Sequence, residues 1–230
     1  MKNLTTTQTG YCPTIENPFV FANTTNPKET AIMNRVYDSP DTFNIIGING
    51  VIGSGKDTAA TMIQSILNPS EWEIKKFAYK LKSIVSILTG IPLESLEDIN
   101  IKNSNMSYEW DINGVPQTYR DALQRIGTDA LRNIFHKNTW VNALFADLKP
   151  SSKWIISDLR FDNEFDAIKN NKGLCIKIIR PTTEPKTPKH ESETALTDFP
   201  FDYVLYNNGT LDDLRNEVLI MLSHFNLLKK

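Results

Sequence analysis

From residue 43 onward, short apolar runs alternate with stretches of helical spacing. Phe43-Asn44-Ile45-Ile46-Gly47-Ile48-Asn49 is an apolar run ending at Gly50, the pattern of a strand buried on both faces. Lys56 to Leu67 carries Ala59, Met62, Ile63 and Ile66 at helical spacing, and Asn68-Pro69 stops it. A strand over 74–78 and a helix over 79–88 follow, the latter closed by Gly90 and Pro92. Residues 98–117 hold Asn103, Asn105, Asn113-Gly114 and Pro116 and read as an insertion or hairpin. The next pattern predicts a long helix over 118–135, with Leu123, Ile126, Ala130, Leu131 and Ile134 near one face, then a helix over 139–148. Strands over 154–157, 174–179 and 203–206 and a helix over 163–170 complete the pattern. Thr210, with Asp213 three residues on, marks a capping-box start to a last helix reaching Leu222.

Strands that alternate with helices argue an α/β domain: a mostly parallel sheet, helices on both faces, and ligands at the carboxyl ends of the strands. Two segments stand outside this rhythm. Residues 1–42 are rich in threonine and proline and read as a polar extension, so the domain itself spans 43–230. Residues 181–200 carry Pro181, Pro185, Pro188 and Pro200 and are too long for an ordinary connection, so they read as a functional lid or as a disordered, solvated loop.

Composition narrows the function classes. The chain has 230 residues, 40% of them hydrophobic, enough for one domain with a sizeable core. Its 25 Lys+Arg against 27 Asp+Glu leave no basic footprint for nucleic acid, so anionic ligands must be held by local positive charge. The apolar runs fall far short of the ~20 residues of a membrane span, and the amino terminus lacks a signal-like apolar region, so a cytoplasmic protein is expected. Cys12 and Cys175 lie far apart, and Cys175 falls in an apolar strand, which favours a buried thiol over a disulfide. Nothing here speaks against a homodimer.

The sharpest chemical signal is Gly50-Val51-Ile52-Gly53-Ser54-Gly55-Lys56-Asp57-Thr58. It has the G-x-x-x-x-G-K spacing of a P-loop and sits between an expected strand and an expected helix. Glycines let backbone N–H groups turn toward an anion, the helix terminus adds roughly half a positive charge, and Lys56 reaches the β- and γ-phosphates. Asp57 stands where a Ser or Thr usually binds Mg²⁺. It could hold the ion directly or through water, or simply favour the first helical turn. A second carboxylate, Asp158, ends the apolar strand Trp154-Ile155-Ile156-Ser157, the place of a metal-binding or acceptor-binding acid or simply of a turn former.

Four spaced segments then fall in order: Gly53-Ser54-Gly55-Lys56-Asp57-Thr58; Leu123-Gln124-Arg125-Ile126-Gly127-Thr128 with Arg132 and Trp140; Ser157-Asp158-Leu159-Arg160-Phe161-Asp162-Asn163-Glu164; and His190-Glu191-Ser192-Glu193. Together they make residues 44–226 resemble the bacteriophage deoxynucleoside monophosphate kinase family. The resemblance implies a P-loop nucleoside monophosphate kinase fold with a lid, ATP and Mg²⁺, a deoxynucleoside monophosphate acceptor, and the host cytoplasm as the place of action. It further implies that Gly53, Ser54, Gly55, Lys56, Asp57 and Thr58 contact ATP phosphates and metal. Lys82, Gly127, Thr128, Arg132, Trp140, Asp158, Arg160 and Glu164 would then bind the acceptor, with Asp57 and Asp158 as metal ligands. Lys56, Arg132 and Arg160 form the expected charge-stabilising set. Arg125, seven residues before Arg132, could share its face of a helix, and Trp140 could be either core or a stacking surface for a base. Arg180, Lys186, Lys189 and His190 would bring positive charge with the lid. Rival readings are a phosphomevalonate or dephospho-coenzyme A kinase, a GTPase-like switch, which the missing Asn-Lys-x-Asp motif disfavours, and a non-enzymatic protein that kept the loop.

Overall fold

The computed structural model describes residues 43–181, 196 and 199–228. The extension over 1–42 and nearly all of the lid segment, including Lys186, Lys189 and His190, lie outside the described residues.

Five strands form one sheet: β1 Ile45–Asn49, β2 Trp72–Lys75, β3 Lys153–Leu159, β4 Leu174–Ile179 and β5 Tyr203–Tyr206. Their order is β2-β3-β1-β4-β5, and every neighbouring pair is parallel. Seven α-helices accompany the strands among the described residues: α1 Lys56–Leu67, α2 Tyr79–Thr89, α3 Ile99–Asn103, α4 Tyr119–Gln124, α5 Thr139–Phe145, α6 Asp162–Asn170 and α7 Leu211–His224. The chain therefore has the expected α/β architecture.

Strand alternation sorts the apolar residues into two layers. Ile46, Ile48, Ile155, Ile176 and Ile178 face α1 and α7, where Ala59, Ala60, Ile63, Leu214, Val218 and Leu222 meet them. Ile45, Trp154, Ile156, Leu159 and Cys175 face α5 and α6, against Trp140, Phe145, Phe165 and Ile168. Both sheet faces are dry, which is why the strands read as continuous apolar runs. Gly47 lets α6 close on β1, since a Cβ there would stand 2.4 Å from Ile168 Cδ1. Cys175 is a buried free thiol, as expected.

Three expectations shift. The second strand ends at Lys75, not at residue 78, because the backbone N–H groups of Phe77 and Ala78 leave the ladder to donate to Asp158. The third strand runs on to Leu159, so Asp158 lies inside it. The helix expected over 118–135 is α-helical only to Gln124; Arg125–Phe135 is wound as a π-helix, and His136 N–H donates to Leu131 O, five residues back. The wider winding breaks the 3.6-residue period, so Ala130 and Ile134 are exposed instead of facing the core. It also separates Arg125, which is exposed, from Arg132, which is largely buried. The insertion does hold a small hairpin, Ile112 paired with Val115 across Asn113 and Gly114, both with positive φ, the backbone of a type I′ turn.

Candidate active site

The phosphate cradle lies between β1 and α1. Gly53 and Gly55 take φ of 80° and 100°, conformations that side-chain-bearing residues rarely adopt, and these fold the loop onto the helix start. Gly50 is needed for a different reason: a Cβ there would meet Ile178 O at 2.7 Å. Lys56 Nζ donates to Gly50 O at 2.7 Å and to Val51 O at 2.8 Å, folding its charge across the loop. Ser54 is fully buried within the loop and its hydroxyl has no protein hydrogen-bond partner. Thr58 is exposed on the first turn of α1.

Asn207, just past β5, locks the loop from behind. Its backbone N–H donates to Ile179 O, and its buried amide donates to Ser54 O at 2.9 Å. Asn207 lies outside every motif of the sequence. Its place at the carboxyl end of a parallel strand is the signal that could have marked it.

Asp57 projects from the first turn of α1 and accepts a hydrogen bond from the Ser157 hydroxyl at 2.9 Å. Lys76, one residue past β2, pairs with the same oxygen at 3.1 Å. Burial acts to raise the Asp57 pKa, but the Lys76 charge, the Ser157 hydroxyl and Lys56 together hold it below the usual carboxylate value. Among the described residues no three His, Cys, Asp or Glu side chains cluster as a metal site. A single carboxylate with a hydroxyl behind it nevertheless suits Mg²⁺, which takes one or two carboxylates and fills its shell with phosphate oxygens and water.

At the carboxyl end of β3, Asp158 spends both oxygens on the loop before α2: Oδ1 accepts Phe77 N–H at 2.8 Å and Oδ2 accepts Ala78 N–H at 3.0 Å. Burial still lifts its pKa, outweighing those two donors. The expected metal ligand thus acts in this state as the anchor of the α2 entrance. Glu164, 2% exposed, accepts from the backbone N–H groups of Arg160 and Phe161 through one oxygen and from Arg132 Nη2, at 3.1 Å, through the other. Arg132 also donates to Asn163 Oδ1 at 3.2 Å and lies 3.8 Å over the Phe161 ring, while its buried Nε has no protein partner. Arg132 and the Arg160 backbone are therefore linked through Glu164, while Asp158 is bonded to the α2 entrance.

Lys82, on α2, is nearly buried and pairs with Glu97 at 2.6 Å; Glu97 in turn pairs with Lys76 at 3.2 Å. Neither Lys76 nor Glu97 belongs to a recognisable motif. Gly127 sits inside the π-helical segment, pressed against Leu81, with Thr128 half-buried beside it. Trp140, for which the sequence leaves both the core and a stacking surface open, is packed in the core. It is 5% exposed, packs in the layer beneath α5, and donates from Nε1 to Gly127 O at 2.9 Å. That hydrogen bond ties the core layer to the Gly127 backbone.

A parallel sheet with a glycine-rich G-x-x-x-x-G-K loop between β1 and α1, Asp158 near the end of the neighbouring strand β3, and Arg160, Glu164 and Arg132 in the segments beyond it is the arrangement of a P-loop kinase. The sequence comparisons agree. Residues 93–218 match the family model of deoxynucleotide monophosphate kinases. A protein of Acanthamoeba polyphaga mimivirus, provisionally named a deoxynucleotide monophosphate kinase, is 32% identical over 189 residues, covering 76% of this chain and 94% of that one. The chain belongs to the deoxynucleotide monophosphate kinase family. Among solved structures, dephospho-CoA kinase from Campylobacter jejuni aligns at 16% identity and a TM-score of 0.41, over 79% of this chain and 97% of that one. The Mycobacterium tuberculosis APS kinase CysC, as a Cys556Ala mutant, aligns at 12% identity and a TM-score of 0.35, over 80% and 99%. No helix of the described residues is long and apolar enough to cross a membrane.

Proposed function

We propose that the protein transfers the γ-phosphoryl group of ATP to the 5′-phosphate of a deoxynucleoside monophosphate, releasing ADP and the diphosphate. The observation that carries this reading is the pairing of the Lys56 cradle on β1 with the Arg132–Glu164–Arg160 cluster at the end of β3, the strand next to β1. One site suits a triphosphate and the neighbouring one a second anion.

An oxygen of the acceptor phosphate attacks the γ-phosphorus; the bond to the β–γ bridging oxygen breaks, and its electron pair leaves on ADP. With a second pKa near ~6, the acceptor phosphate is already ionised at neutral pH and needs no general base. The protein's task is alignment and charge neutralisation. Lys56 would leave its loop carbonyls for the phosphate oxygens, Ser54 would donate its hydroxyl within the cradle, and Arg132 and Arg160 would hold the acceptor phosphate. Mg²⁺, held by Asp57 and steadied through Ser157, would neutralise oxygen charge on the triphosphate. The substrates are free nucleotides of the cytoplasm, not nucleic acid.

Release of ADP, followed by a coupled assay across deoxynucleoside and ribonucleoside monophosphates, phosphomevalonate and dephospho-coenzyme A, tests this. Turnover confined to nucleotides, reduced at least ~10²-fold by Lys56→Ala in a folded protein, is expected. Turnover of phosphomevalonate or dephospho-coenzyme A in their place would overturn it.

A further inference from the structure

Lys76 stands between the two halves of the site. Its ammonium lies 3.1 Å from Asp57 Oδ1, in the first turn of the phosphate-cradle helix, and 3.2 Å from Glu97 Oε2. The other Glu97 oxygen is held by Lys82 on α2 at 2.6 Å. The row Asp57–Lys76–Glu97–Lys82 thus runs from the donor cradle to the acceptor side with alternating charge, drawn from four separate parts of the chain.

As a structural tie this row is weak. The Asp57 and Glu97 side chains are 71% and 50% exposed, and ion pairs of that exposure add little to stability. A functional reading accounts for its position better. Lys76 pairs with Asp57 in the first turn of α1, while Lys56 at the start of the same helix is folded onto the loop carbonyls of Gly50 and Val51, so both ammonium groups belong to the helix start where the terminal phosphate would come to rest. Once an Mg²⁺–triphosphate engages Asp57, Lys76 loses that partner and faces new negative charge. A lysine suits this change, being a point charge on a flexible stem.

We infer that Lys76 is a further catalytic residue: its ammonium moves from Asp57 to the oxygens of the γ-phosphoryl group and stays with that group during transfer, while Glu97 keeps it within reach from the acceptor side. This rests on the proposed kinase reaction for its chemistry but has a readout that needs no acceptor. Calorimetry with Mg²⁺ compares ADP with the non-hydrolysable imido analogue of ATP. Wild type should favour the analogue, and Lys76→Met should lose roughly tenfold in affinity for it while binding ADP as before, the loss of one charge-assisted contact. In the coupled assay kcat should fall about 10²-fold with both KM values changed less than threefold, and Lys76→Arg should recover part of the rate. A wild type indifferent to the γ-phosphate, or a Lys76→Met protein that keeps its preference or weakens equally for both nucleotides with a lowered Tm, overturns the inference. Absence of deoxynucleotide turnover by wild type would remove the acceptor assignment, yet the calorimetric ratio would still decide the role of Lys76.

Discussion

Arg132 and Glu164, 32 residues apart in sequence, meet at 3.1 Å in a nearly dry pocket, and the second Glu164 oxygen holds the backbone N–H groups of Arg160 and Phe161. One buried carboxylate therefore holds the Arg132 guanidinium and the Arg160 backbone together.

That carboxylate should leave a mark on stability. Burial, reinforced by the Asp158 charge and opposed by Arg132, pushes the Glu164 pKa from 4.5 up to about 7. Between those values the folded protein keeps a proton that the unfolded chain has lost, so stability must fall as pH rises through this window and level off above it. The total is at most roughly 3 kcal/mol. Urea unfolding of wild type and Glu164→Gln from pH 4.5 to 8 should show that slope in wild type and lose it in the variant; parallel curves would refute it.

Ser157 donates its hydroxyl to Asp57 at 2.9 Å. Removing such a supporting hydrogen bond costs metal affinity about tenfold, so Ser157→Ala should need that much more Mg²⁺ for half-maximal rate. At saturating Mg²⁺ its kcat should approach that of wild type. An unchanged Mg²⁺ titration would argue that Asp57 only starts the helix.

Asn207→Ala leaves the buried Ser54 carbonyl without its donor. The expected cost is about 1–3 kcal/mol in unfolding free energy, with a raised KM for ATP and little change in that for the acceptor. Equal effects on both substrates would show that the amide supports the sheet edge in general and not the cradle.

Trp140→Phe keeps most of the buried ring but strips the Gly127 carbonyl of its hydrogen bond. Stability should drop by roughly 1–3 kcal/mol, and acceptor KM should rise by the same factor for every base. A loss that depended on the base would restore the stacking role.

Local chemistry was enough to place much of this protein. The apolar runs of β1, β4 and β5, the helix Lys56–Leu67, the capped start of α7 at Thr210 and the phosphate loop all follow from spacings of a few residues, because strand burial, helix period and turn glycines act over that range. Asp158 could be seen at the end of an apolar run for the same reason. What no short window contains is the set of partners brought in from afar. Ser54 waits on an amide 153 residues away, and Asp57 on a hydroxyl 100 residues away. Lys76 and Glu97 carry no pattern of their own, and only the closing of β2 beside β3, with α2 packed behind, puts them in line between the two halves of the site. The π-winding that turned Arg125 and Ile134 to solvent likewise belongs to tertiary structure. Residues 125–135 have a sound α-helical period, and packing contacts such as the one between the Trp140 indole and the Gly127 carbonyl override a preference worth only tenths of a kcal/mol per residue.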